Sequence, residues 1–257
     1  MVATCMLADA KTDIKIGSIE TSDGQDIAYA HYGNGSDKVI IIVHGFYNSK
    51  DSVLIKRLVT KLSDKYDVFT FDLRGHGDSS GLFTWTSDED KDLKAVLDFL
   101  AGKYDKEAIV AFSYGGSISI NVLAEDGYDV DSLVCVSAPS DPDKIDCKWW
   151  KLDFENDISY SLLNEEGREG KGVRPGPFWM KKEKPIDNIG KLSMPVLYIH
   201  GDKDWVVDEW HSRALYEKTK GKKDLVIIDG GFHAEYLMRQ DDDLFVGTIK
   251  EWLENTL

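Results

Sequence analysis

Three residues in this sequence stand in settings where nucleophilic chemistry could be assembled. Ser113 lies in Ala111-Phe112-Ser113-Tyr114-Gly115-Gly116, where an apolar run meets a stretch of small residues. A serine hydroxyl is a poor nucleophile until a base removes its proton. On a sharp strand-to-helix turn its oxygen is exposed, and the helix N-terminus faces developing negative charge. Such a turn leaves little room, so the positions two before and two after the serine must be small. They are Ala111 and Gly115. Taken alone, the same pattern also suits a glycine-assisted turn with a capping serine.

His233 closes Gly230-Gly231-Phe232-His233, directly after an apolar run, and could act as the base. Asp204 closes Gly201-Asp202-Lys203-Asp204, after another apolar run. A carboxylate there could hold the imidazole in one tautomer and stabilise its cationic form. Asp202 and Asp204 also suit ordinary loop acids, one of them capping the next helix. His31, His200 and His211 show no site context. No His, Cys and Asp cluster has metal-ligand spacing. Asp241-Asp242-Asp243 reads as acids favoured at a helix N-terminus rather than as a cation site.

The elements that must position these groups alternate along the chain. Lys15–Glu20 and Asp26–Tyr32 flank the Asp-Gly turn signal of Ser22-Asp23-Gly24 and predict a β-hairpin. Val39–Val43 is β-branched throughout, as suits a strand buried on both faces. Further strands are expected over Tyr66–Leu73, Ala108–Phe112, Val130–Val136, Pro195–His200 and Leu225–Ile228. Helices are expected over Asp51–Lys65, Ser87–Ala101 with Ser87 as N-cap, Gly115–Ala124, Asp208–Lys220 and Asp241–Glu254. Strand and helix in alternation imply right-handed crossovers and a mostly parallel central sheet with helices on both faces. All strands of a parallel sheet end at one edge, where such folds carry their sites. Ser113, Asp204 and His233 all follow strands on that edge.

From about Ser140 to Leu192 no clean strand appears. The stretch holds Trp149, Trp150, Phe154, Phe178 and Trp179 among glycines and prolines. It reads as a cap inserted into a single domain spanning residues 1–257. Large aromatics must be buried somewhere. The insertion leaves the chain beside the serine turn, so at least one of Trp149, Trp150, Phe178 and Trp179 is expected to line an apolar substrate pocket.

The chain has 257 residues, 42% of them hydrophobic and 30% charged, with a formal net charge of -15. That balance reads as a soluble globular protein, and a surface so acidic argues against nucleic acid as a partner. No apolar run approaches the ~20 residues needed to span a bilayer. Residues 1–10 do not read as a signal peptide. Cys5, Cys135 and Cys147 make no disulfide framework: Cys135 reads as a reduced core thiol, and Cys147 lacks a partner motif. A reducing, cytoplasmic setting is the expectation.

Several separate matches then resemble the α/β-hydrolase superfamily, over about Ile14 to Leu253. They are His44-Gly45-Phe46 after the first long strand, Asp72-Leu73-Arg74-Gly75-His76-Gly77-Asp78-Ser79 after the next, the serine turn, Gly201-Asp202-Lys203-Asp204, and Gly231-Phe232-His233. The superfamily's serine motif has Gly where Ala111 stands, a departure of one methyl group. The resemblance implies an α/β-hydrolase fold and a catalytic triad of Ser113, Asp204 and His233 in the family's chain order. It implies an oxyanion hole made by the backbone N–H groups of Phe46 and Tyr114, with His44 and His76 shaping loops. Some members take the acid from the strand before the cap, where Asp141 stands; the Gly-x-x-Asp spacing favours Asp204. The implied activity is that of a serine hydrolase on carboxylic esters of small or medium acyl groups, with a small-molecule ester as its partner and no cofactor. A thioesterase, amidase or peptidase would use the same triad, and a non-catalytic binding protein could share the scaffold. The oligomeric state is left open.

Overall fold

Strand β3 (Lys38–Val43) shows why the sheet is covered on both sides. Val39, Ile41 and Val43 point into one apolar core, Ile40 and Ile42 into a second, and all five are inaccessible to solvent. The period of two in a strand lets a continuous β-branched run feed both faces. We describe a computed structural model of the chain, in which residues 13–125, 127–148, 150, 152 and 172–257 are described.

The sheet has eight strands in the order β1-β2-β4-β3-β5-β6-β7-β8. Strands β1 (Asp13–Glu20) and β2 (Asp26–Gly33) form the expected antiparallel hairpin, and β2 pairs antiparallel with β4 (Asp67–Phe71). From β4 onward all pairs are parallel, through β3, β5 (Lys106–Phe112), β6 (Ser132–Val136), β7 (Val196–Gly201) and β8 (Lys223–Ile228). Helices α1 (Val53–Leu62) and α5 (Asp242–Glu254) pack on one face through Ile55, Leu58, Phe245 and Ile249. Helices α2 (Asp90–Leu100), α3 (Tyr114–Leu123) and α4 (Trp210–Lys218) pack on the other through Leu93, Val96, Ile118 and Leu215. The chain leaves β3 for β4 on one side and reaches β5 on the other. The strand order therefore reverses at β3 and β5, which opens a crevice beyond their C-terminal ends.

Each expected strand and helix is present, and the differences lie at the ends. One concerns α2, which begins at Asp90 instead of Ser87. Trp85 and Thr86 adopt left-handed backbone conformations, with φ of 60° and 75°. The buried Glu89 carboxylate accepts hydrogen bonds from the N–H groups of Thr84 (2.6 Å) and Thr86 (2.7 Å). That clamp holds the chain in a turn and delays the helix. Asp241 caps α5 by accepting from Leu244 N–H, and Asp242 and Asp243 occupy its first turn.

Of the segment expected as a cap, residues 149, 151 and 153–171 lie outside the described residues, Trp149 and Phe154 among them. Its returning end pairs with the body, where Phe83 bridges Pro175 and Gly176 N–H donates to Phe83 O at 2.7 Å. No helix among the described residues is long and apolar enough to cross a membrane.

Candidate active site

Ser113 joins β5 to α3 with φ 49° and ψ −121°, a conformation that L-residues avoid and that marks stored local strain. Two close approaches explain the neighbouring glycines. A Cβ on Gly115 would lie 2.5 Å from Val43 O and 2.6 Å from His44 O. A Cβ on Gly45 would lie 3.0 Å from Ser113 Cβ. The loop after β3 and the serine turn are thus in backbone contact, and only hydrogen atoms fit between them. Tyr114 N–H is the first amide of α3 and has no acceptor within the helix by position.

The loop from Gly45 to Lys50 is fixed by the two histidines of the sequence motifs. His44 Nδ1 donates to Gly45 O (2.7 Å), and its Nε2 accepts from Leu73 N–H (3.0 Å). His76 Nε2 accepts from Tyr47 N–H (3.3 Å). Burial, with His44 beside it, pushes His76 down to about 3, so the ring stays neutral and remains an acceptor. At the loop's far end Lys50 N–H donates to Asp72 Oδ1 at 2.7 Å. Carboxylate oxygens of Asp51, Asp72 and Asp78 lie within 4.8 Å of one another, a grouping that the sequence did not reveal. Lys50 Nζ sits among them at 2.6, 3.1 and 2.6 Å, so an ammonium meets their charge.

His233 and Asp204 come together through a second pair of glycines. A Cβ on Gly201 would lie 2.2 Å from the Gly231 carbonyl carbon, so the end of β7 touches the loop after β8 backbone to backbone. Lys203 N–H donates to Gly231 O (2.9 Å), and Ala234 N–H donates to Ser137 Oγ (3.0 Å). His233 Nδ1 then lies 2.7 Å from Asp204 Oδ2. A carboxylate only accepts, so Nδ1 carries the proton and Nε2 is left with its lone pair. The other oxygen, Oδ1, accepts from Val206 and Val207 N–H, each at 2.9 Å. Asp204 is fully buried. Burial pushes its carboxyl up, but the imidazoles of His233 and His200 outweigh that and hold it well below the usual carboxylate range.

Ser113, His233, Phe46 and Tyr114 share the walls of one cavity of about 460 Å³, and Asp204 lies behind His233. A larger groove of about 590 Å³ between β1 and α2 is lined by none of these residues. Asp141, the alternative acid, accepts from Asp143 N–H and Lys184 Nζ.

Three of the four aromatic residues expected from the cap do not line the cavity among the described residues. Trp150, Phe178 and Trp179 are 63%, 64% and 76% exposed, and none contributes to the walls. Trp149 lies outside the described residues. Among the described residues the aromatic wall comes from Phe46, Tyr47, Trp85, Tyr114, Trp205 and Tyr236. Trp85 stacks on Phe46, ring centroids 5.1 Å apart and planes 24° apart. Trp205 and Tyr236 follow the acid and the histidine closely in sequence, a signal that could have found them. Trp85 sits in a non-periodic turn, which gave none. Cys147 also lines the cavity, and burial and the Asp146 and Asp204 carboxylates push its thiol up, so it remains protonated at neutral pH. His200, without context in the sequence, lies 3.2 Å from Asp204 Oδ2. His31 and His211 bond elsewhere, to Tyr104 and Ser140.

Comparison with known proteins points one way. A family model described as alpha/beta hydrolase fold matches residues 38–156, and one described as serine aminopeptidase, S33, matches residues 183–237. The uncharacterized protein YqkD of Bacillus subtilis is 26% identical over 255 residues, covering 92% of this chain and 78% of that protein. The Pyrococcus furiosus esterase Pf2001 superposes with a TM-score of 0.77 at 23% identity, covering 100% of this chain and 97% of that one. The esterase RhEst1 of a Rhodococcus species superposes with a TM-score of 0.75 at 20% identity, covering 94% and 99% of the two chains.

Proposed function

We propose that this chain, which belongs to the α/β-hydrolase superfamily and is a hydrolase by family and fold, is a serine esterase that works through an acyl-enzyme on Ser113. The observation that carries the reading is the His233 Nδ1 to Asp204 Oδ2 contact of 2.7 Å, with His233 and the strained Ser113 in one cavity. His233 Nε2 takes the hydroxyl proton as Ser113 Oγ attacks the ester carbonyl carbon. The carbonyl oxygen becomes an oxyanion held by Phe46 and Tyr114 N–H, donors worth roughly 3–4 kcal/mol each in comparable sites. The tetrahedral intermediate collapses, and the imidazolium returns its proton to the departing alkoxide. Water then attacks the acyl-enzyme by the same route, and Ser113 is regenerated.

The cavity's size and aromatic walls suit uncharged, apolar acyl groups of small or medium size. The cap over about 140–192, the single-domain organisation and a cytoplasmic setting belong to the same reading. A peptidase or amidase reading draws on the S33 description matched by residues 183–237. The test is a fluorophosphonate probe applied to wild type and Ser113→Ala, followed by a panel of esters, thioesters and amides. Labelling that survives the substitution, or a preference for amides over esters, overturns the esterase reading.

A further inference from the structure

His200 is the penultimate residue of β7, four residues before Asp204, and is wholly buried. Its Nε2 lies 2.7 Å from Val207 O and 3.2 Å from Asp204 Oδ2, and its Nδ1 lies 2.7 Å from Ser212 Oγ on α4. Both oxygens facing Nε2 are acceptors only, so Nε2 carries a proton whatever the charge of the ring. The N–H is directed at the Val207 carbonyl, and the carboxylate oxygen lies beside it. Asp204 Oδ2 therefore sits between two imidazoles, His233 at 2.7 Å and His200 at 3.2 Å. Val207 is gripped at both ends: its carbonyl receives the His200 proton, and its N–H donates to Asp204 Oδ1 at 2.9 Å. Among the described residues, His211, also on α4, is close enough to His200 for their charges to interact, and Cys147 is likewise close to Asp204.

We propose that His200 is a positioning residue for the acid of the triad. Through Val207 it fixes the loop that presents Asp204. Its N–H also offsets part of the charge on Oδ2, and so sets how strongly Asp204 stabilises the His233 imidazolium. A purely structural histidine would do the first and not the second. The proposal rests on the reading of Ser113, Asp204 and His233 given above.

The measurement is the acid limb of kcat/KM against pH on one neutral ester. In His200→Leu the Asp204 Oδ2 keeps His233 and loses the second imidazole, and the limb moves up by about half a unit or more with KM little changed. His200→Gln keeps an N–H at the same reach, and its limb stays with wild type. Should His200→Leu fail to fold, Ser212→Ala carries the test: it frees the ring at Nδ1 and moves the limb in the same direction by less. The proposal is overturned if the limb of His200→Leu, or of Ser212→Ala in its place, coincides with wild type. It is equally overturned if His200→Gln moves as far as His200→Leu. Ser113→Ala run alongside separates the two claims, since retained turnover there sinks the serine mechanism itself.

Discussion

Gly115 and the carbonyl of Val43 are so close that a Cβ on the glycine would stand 2.5 Å from the oxygen. The contact ties the start of α3 to the end of β3, and so ties Ser113 to the loop that carries Phe46 N–H. Neither partner is a flexible side chain tip, so nothing yields cheaply. Gly115→Ala is expected to cost 1–3 kcal/mol or more, about the range of overpacked cores, and to lower kcat more than stability alone explains. Gly247 in α5 is the contrast, because a Cβ there meets nothing within 4 Å. Gly247→Ala should raise stability by about 0.4–1 kcal/mol. Urea unfolding of both variants checks the pair, and a neutral Gly115→Ala would contradict the contact.

Asp204 and Asp141 are separated by substitution with asparagine. Asp204→Asn keeps the shape but favours the wrong His233 tautomer, with an expected loss in kcat of about 10⁴. Asp141 is engaged by Asp143 N–H and Lys184, so Asp141→Asn should leave the rate within a few fold of wild type. A larger loss in the second variant would move the acid to Asp141.

The cavity wall predicts which aromatic residue sets acyl preference. Trp85→Ala removes a ring stacked on Phe46 and opens the pocket. The ratio of kcat/KM for long against short acyl esters should rise by roughly tenfold. Trp179→Ala, which removes an exposed ring, should leave that ratio unchanged. Equal ratios in the two variants would place the acyl group elsewhere.

Buried histidines make the fold acid-sensitive. Burial pushes His211 down to about 4, against an ordinary value of 6.5, so the folded chain leaves it neutral where the unfolded chain protonates it. Its contribution is intact above pH 6.5 and is lost as pH falls from there toward 4. The loss comes to about 1.5 kcal/mol between pH 6.5 and 5. Burial raises Glu89 and takes Asp92 up to about 7, which works in the opposite sense. A comparison of variants isolates the histidine: His211→Gln should lose less stability between pH 7 and pH 5 than wild type. Parallel Tm profiles would show that His211 titrates alike folded and unfolded.

The sheet was legible from local pattern, because a strand's sidedness follows from its period of two. Val39–Val43 suits a strand with a core on each face. The serine turn was legible because sterics demand small neighbours, and Ala111 and Gly115 stand where they must. The pairing of Asp204 with His233 could be expected only through resemblance. Its cause, the backbone contact of Gly201 with Gly231, joins a strand end to a loop, and their approach depends on strand register and twist. The places of Trp150, Phe178 and Trp179 could not be read from composition, which shows that large rings need burial without showing where. Two left-handed residues and the Glu89 clamp turn Trp85 into the cavity, while Trp179 stays in solvent. His200 carried no signal in one dimension. Its distance to Asp204 Oδ2 follows from the turn after β7, which folds Asp204 and Val207 back over the strand end.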